Sequence, residues 1–358
     1  MINWKKAGLT ALAGSLVATS AFAGAMTVSG TANLTYTANG GQEDTGEADE
    51  GGNHDGARWG MNKSLSFSGS GELDNGWTVS VSNTLANGSS SGVGLTIDMG
   101  DMGSLNYESS TSARGIGKIK DMMPTADEDV GNGIDVDGSG TSGGLSGTVS
   151  GGAQGFHYAK TISDMVEIGV GYAPKSQAGG AQGSVQGTGA EESNVSGFVK
   201  LDPMDGLEVG IGVGEADSAT AAKTDDHMTI YATYVWGNFT VGYQMSEIET
   251  AGTTADDEQT RWGVLYAVND EMSISYQNHK NEDTTATDEE ASGWSASYTS
   301  GGITFKAHRN TADDVSNATS NESEHTEIGV TFAFKLFRLV NKIKGPVIFT
   351  GPFFFDFI

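Results

Sequence analysis

Between residues 24 and 334 the chain repeats one pattern: short runs in which every second residue is apolar and its neighbours are small or polar. A period of two marks a β-strand with one apolar face. The stretch "EIGVTFAF", Glu327 to Phe334, shows it plainly: Ile328, Val330, Phe332 and Phe334 alternate with Glu327, Gly329, Thr331 and Ala333. In the same way Phe239, Val241, Tyr243 and Met245 share one face of a strand, and Trp262, Val264, Tyr266 and Val268 share one face of the next. Followed from Met26 onward, the alternation predicts sixteen strands. It is weakest in the fourth to sixth, where Lys160 falls among apolar positions and suggests a slipped register.

The connections alternate in length. Tight turns fall at 74–76, 98–101, 163–164, 202–206, 237–238, 269–270 and 301–302, several of them with the Asn, Asp or Gly that a hairpin needs. Between them lie long polar connections at 39–58, 86–92, 108–152, 173–193, 214–227, 247–260, 279–292 and 310–326. Long loops at one end and short turns at the other, with an even strand number, put both ends of the barrel on the short-turn side. A sandwich would not segregate its loops in this way, nor leave one face so polar. In a closed barrel alternate residues face lipid and water, and closure leaves no unpaired backbone edge in hydrocarbon. The expected fold is therefore all-β, a transmembrane antiparallel β-barrel of sixteen strands. The apolar positions that define the strands hold no charged residue. Trp59, Trp77, Trp236, Trp262 and Trp294 all lie among them at strand ends, where an aromatic girdle would meet the membrane–water interface.

Composition agrees. There are 53 glycines, 5 prolines and no cysteine, and only 37 % of residues are hydrophobic. Without cysteine there is no disulfide scaffold and no thiolate zinc site. The opening "MINWKKAGLTALAGSLVATSAFAG" joins Lys5 and Lys6 to a short apolar stretch and an A-x-A site at Ala21–Ala23, the form of a cleaved secretory signal peptide over residues 1–23. No later run approaches the roughly 20 apolar residues of a transmembrane helix. Formal net charge is −27. Of the acids only Asp356 lies outside 24–334, while Lys335, Arg338, Lys342 and Lys344 follow Phe334, so the barrel segment is more acidic than the whole. With no basic face to offer, nucleic-acid binding is excluded.

A barrel of about 16–18 strands is too wide for side chains to fill, so function follows from bore, lining and field. The longest connection, 108–152, carries Glu108, Asp121, Asp127, Glu128, Asp129, Asp135 and Asp137 against Arg114, Lys118 and Lys120. A loop of that length inside a compact fold is expected to be functional. Basic residues on the water-facing parity are few: Arg58, Lys200, Arg261 and Lys306 are the pore-wall candidates. The surplus of carboxylates predicts a mild preference for cations. No cofactor or metal is expected. The histidines at 54, 157, 227, 279, 308 and 325 have no metal-binding spacing and are expected at the surface. "DVDGSG" (Asp135–Gly140) begins like a calcium loop but has Ser146 where the twelfth position needs Glu.

On these grounds the chain resembles the Gram-negative general porins over residues 24–334. The resemblance rests on the leader, the sixteen strands with short and long connections, the long third loop and a last strand ending in Phe334. "GELDNGWTVSVSN" (Gly71–Asn83) is similar to their second and third strands, and "DMGSLNYES" (Asp101–Ser109) to their fifth. It implies an outer-membrane homotrimer among outer-membrane lipid and lipopolysaccharide, with short periplasmic turns and long extracellular loops. It implies a third loop folded into a water-filled pore that passes small hydrophilic solutes and ions by passive diffusion, with basic wall residues facing an acidic loop. It also implies that the closing aromatics, Phe332 and Phe334, are an assembly signal for the barrel insertion machinery. The third loop lacks P-E-F-G-G and reads "DMMPTADEDVGNGIDVDGSG", so the resemblance does not say which carboxylates face the lumen. An outer-membrane hydrolase barrel and an adhesin or structural barrel are the alternatives.

After Phe334 the alternation stops, and residues 335–358, "KLFRLVNKIKGPVIFTGPFFFDFI", are expected to lie outside the barrel. They read either as a basic periplasmic tail or as a reading frame carried past its stop. Lys344–Val347 and Thr350–Pro352 back-translate to AGGCCCTGT and ACAGGGCCT, reverse complements followed by a T-run, the form of a transcription terminator. The coding DNA decides between the two.

Overall fold

A computed structural model of the chain describes residues 26–40, 56–108, 114–134, 155–174, 193–217, 224–249, 256–283, 288–314, 322–336 and 356–357. The alternating runs become β1 (Thr27–Gly40), β2 (Gly56–Glu72), β3 (Thr78–Ala86), β4 (Ser89–Asp98), β5 (Ser104–Glu108), β6 (Gly155–Ser163), β7 (Val166–Ala173) and β8 (Asn194–Met204). They continue as β9 (Leu207–Asp217), β10 (Thr224–Trp236), β11 (Phe239–Glu249), β12 (Asp256–Ala267), β13 (Met272–Asp283), β14 (Glu289–Ser300), β15 (Ile303–Asp313) and β16 (Ser323–Leu336). Each strand pairs antiparallel with its neighbours, and β1 pairs with both β2 and β16, so the sheet closes. A two-residue β17 (Asp356–Phe357) adds to the end of β16, opposite Lys335 and Phe334.

Register decides which face is wet. Tyr36 stands opposite Trp59 and Ile328, and Leu34 opposite Met61 and Val330. The apolar set is therefore continuous round the outside. It is also exposed: Trp59 keeps 70 % of its surface and Val213 58 %, while Gln244, His279 and Thr229 inside are almost fully buried. This inside-out distribution is what hydrocarbon around the barrel and polar contacts within it require.

The structure corrects the sequence reading in several places. The connection expected at 86–92 is a two-residue turn, Asn87–Gly88, with φ of 51° and 93°. Asn-Gly is the standard tight hairpin pair, and the polar composition of β4 had hidden it. Lys160 is itself in register, and the irregularity expected there falls just after it, where the β6–β7 pairing shifts between Thr161 and Ser163. Lys160 lies opposite Ile168 on the outward face with Phe156 and Tyr158, close to the turn, where its stem can carry the amine to the interface. Lys63, opposite Ala32 on β1, is a second outward base that the alternation passed over. Many strands also run further toward the long-loop end than expected: β9 reaches Asp217, β11 Glu249 and β13 Asp283. Outward positions there are charged, so the apolar signal ends where lipid would end, but the hydrogen-bonded sheet does not. For the same reason Trp262 and Trp294 lie within β12 and β14 rather than at their ends, while Trp236 closes β10 and Trp77 precedes β3.

Candidate functional site

The loop between β5 and β6 lies inside the barrel along its wall. After Arg114, a short 3-10 turn (Gly115–Ile119) packs on β7, β8 and β9. Ile116 and Ile119 make a small apolar core with Phe198, Ala216 and Tyr231. Glycines on the inward parity make room for this. A Cβ at Gly212 would stand 2.8 Å from Ile116 and 2.9 Å from Ile119, and one at Gly242 would stand 2.7 Å from Pro124.

Wall side chains then bind the loop backbone in order round the barrel. The Gly115 N–H donates to His157 Nδ1 at 3.1 Å and that of Ile116 to Ser196 Oγ at 3.2 Å. Gln244 Nε2 donates to the carbonyls of Ile119 (3.1 Å) and Lys120 (2.8 Å), and its Oε1 accepts from the Met122 N–H at 3.0 Å. Ala126 N–H reaches Ser275 Oγ at 2.9 Å, and Val130 N–H reaches Gln277 Oε1 at 2.8 Å. Asn310 Nδ2 donates to the Asn132 carbonyl at 3.0 Å, and Val130 and Ile134 pack on Ala291 and Ala312. The described loop thus follows the wall from β6 to β16.

Charged groups complete the attachment. Lys306 Nζ lies 2.6 Å from Asp127 Oδ1 and 3.5 Å from Glu128, and His308 Nδ1 lies 3.1 Å from Asp127 Oδ2. Arg261 contacts Asp129 at 3.1 Å and Asp121 at 3.6 Å. Burial works against the Asp127 carboxylate, but the bonds and charges of His308 and Lys306 outweigh it and hold its pKa below the ordinary value. Asp129 goes the other way: burial pushes it up to about 7, Arg261 pulls it down, and the charge of Asp121 adds to the rise.

Of the basic wall candidates, Arg261 and Lys306 meet loop carboxylates. Lys200 instead pairs with Glu167 at 3.8 Å beside the Phe198 ring, and Arg58 is exposed on the inward parity of β2 opposite Thr37. Arg114 is buried, Lys118 and Asp121 are exposed, and Lys120 and Glu128 are partly exposed. Glu108 ends β5 opposite Gly94 and Gly155, and Asp135 and Asp137 lie outside the described residues. The loop carboxylates that meet the wall do so in contact pairs.

The histidines correct the sequence reading most clearly. His157, His227, His279, His308 and His325 are all buried on inward positions, and His54 lies outside the described residues. The His308 and His325 rings stack with centroids 5.2 Å apart, and the His325 ring occupies the space a Cβ on Gly133 would need. Their place on the polar parity of each strand was the available signal.

Opposite the loop, β1 to β5 present hydroxyl and amide groups that bond to each other: Thr31 to Ser64 at 2.8 Å, Ser66 to Thr84 at 2.8 Å and Thr96 to Asn106 at 2.6 Å. Arg58 on β2 and Glu108 on β5 are charged groups on the same inward parity of this otherwise hydroxyl- and amide-bearing wall.

Solved structures with this architecture share little sequence. A porin structure is covered in full by 87 % of the chain at 14 % identity, with a TM-score of 0.62. An anion-selective porin from Comamonas acidovorans matches at 13 % identity over 87 % of this chain and 99 % of that one, TM-score 0.59. The trimer form of OmpT, an outer membrane protein of Vibrio cholerae, matches at 12 % identity over 87 % and 99 %, TM-score 0.60. A search of curated protein sequences finds no match. The sequence model of the Gram-negative porins, however, matches residues 8–336. A closed barrel with an inward loop and that match over most of the chain lead to one conclusion: this chain belongs to the Gram-negative porin family, channel-forming barrels of the outer membrane.

Proposed function

We propose that the chain is a diffusion pore, not an enzyme, and that it passes small hydrophilic solutes and ions with a mild preference for cations. The observation that carries this is the loop pinned to the wall of β6–β15, across from the hydroxyl- and amide-bearing β1–β5. The paired charges of the loop contribute little net field. The cation preference comes from the surplus of carboxylates in a chain of net charge −27, acting over a screening distance of about 8 Å. Residues 1–23 act as a cleaved signal, Phe332 and Phe334 as the assembly signal, and the tryptophans as interface anchors. The working form is a homotrimer, a reading supported by the trimeric form among its structural neighbours.

Liposome swelling with sugars of increasing size tests the channel. Swelling that falls off with solute size is expected, and an adhesin or hydrolase barrel would give none. Under a salt gradient the reversal potential should take the sign of cation selectivity; the opposite sign would refute that part.

A further inference from the structure

The outer wall is notched where β8 turns Gly197 toward lipid. Val170 on β7 and Val213 on β9 flank it, and with Val195 and Met228 they line a groove of about 690 Å³. A second hollow of about 400 Å³ shares Val170, Gly197 and Val213 and continues past Ile168, Val199 and Ile211. The groove therefore runs along the lipid-facing side of the sheet as an apolar slot.

Its long-loop end is different. Glu215, Asp226, Glu247 and Glu249 close it. Asp226 stands directly opposite Glu215 on β9 and Glu249 on β11, and Glu247 stands opposite Glu258 on β12. Like charges directly opposed across strands are destabilising. The ion pairs of the neighbouring rim use other groups: Lys280 with Glu282 and Asp288, and Arg309 with Glu324. Among the described residues no ion pair engages Glu215, Asp226, Glu247 or Glu249, so the apolar slot ends under carboxylates that suit a cationic head.

We propose that this groove docks an amphiphile with an aliphatic chain and a primary ammonium head. The chain lies over Gly197 between the valines, and the head sits among Glu215, Asp226 and Glu249. An alkylammonium keeps its charge at neutral pH, with a pKa near about 10, so it relieves the repulsion that a neutral head leaves and an anionic head worsens. The inference rests on the porin reading only in that this face meets lipid. Its test uses folded protein in neutral detergent and is independent of transport.

Native mass spectrometry of the folded protein, titrated separately with dodecylamine, dodecyl maltoside and dodecyl phosphate, provides the test. Dodecylamine should bind about tenfold more tightly than the maltoside, a difference of about 1.4 kcal/mol. That preference should vanish in the variant E215Q/D226N/E249Q, or in D226N alone if the triple variant does not fold. Val213→Trp, which fills the slot from an exposed position, should weaken both chains. Equal binding of amine and maltoside, a preference that survives loss of the carboxylates, or no effect of Val213→Trp would overturn the proposal. Tighter binding of dodecyl phosphate with calcium than of the amine would also overturn it, in favour of a rim that takes divalent cations.

Discussion

Gln244 joins the loop to the wall through three backbone groups, those of Ile119, Lys120 and Met122, and also bonds Thr229 at 3.1 Å. Gln244→Ala leaves those buried groups without their partner, at a cost of about 1–3 kcal/mol. The detached loop should then be populated about tenfold more often, or beyond. Single-channel recordings should show more frequent closures and more open-channel noise, with the heat resistance of the barrel unchanged. Asp127 and Asp129 give opposite pH dependences. Because the pKa of Asp127 is depressed, its stabilising contribution is complete above the ordinary 3.8 and is lost as pH falls through the lower folded value. Because that of Asp129 is raised, its contribution is complete below 3.8 and is lost as pH rises through about 7. Protonating Asp129 also removes a negative charge beside Arg261. Cation preference should therefore fall between about pH 8 and pH 6, and Asp129→Asn should flatten that change.

Strand β16 closes the barrel, and its closure depends on one small residue. Phe334 pairs with Gly30 of β1, and a Cβ there would stand 2.6 Å from the Phe334 ring. Gly30→Val should cost about 1–3 kcal/mol by overpacking and lower the folded fraction on refolding into detergent. Phe334→Ala removes only the ring contact, and the added Cβ still stands 2.7 Å from the Ser64 carbonyl oxygen, so the double variant should recover only part of the loss. If Phe334 is also the assembly signal, its loss should lower the yield in the outer membrane without lowering refolding in vitro. The two measurements separate packing from recognition. The strands themselves were legible wherever lipid demanded one apolar face. They were misread where that demand ends, as at Glu215, Glu249 and Asp283 beyond the apolar band and in the polar hairpin at Asn87–Gly88.

The barrel as a whole carries its excess negative charge away from the loop contacts. Arg261 and Lys306 neutralise carboxylates at the loop, while Glu215, Asp226, Glu247 and Glu249 face outward at the long-loop end. Deleting residues 115–134 should raise conductance severalfold, because the wall needs no loop to close, and should lower cation preference, because Arg261 and Lys306 then lose the carboxylates that neutralise them. An unchanged selectivity would mean that neither the loop charges nor the wall bases they cover govern ion choice.

The sequence alone determined the strand number, the oily outside and the position of the long loop, because lipid contact and backbone pairing impose a period of two that any reader can count. The histidines, the inward glycines and the partners of each loop carboxylate were decided only in three dimensions. His308 and Asp127 are far apart in the chain, as are Gln244 and Met122, and only closure of the sheet brings each pair into contact. Polar positions on a strand's wet face carry no periodic signal of their own, so what they touch depends on where a distant segment lies.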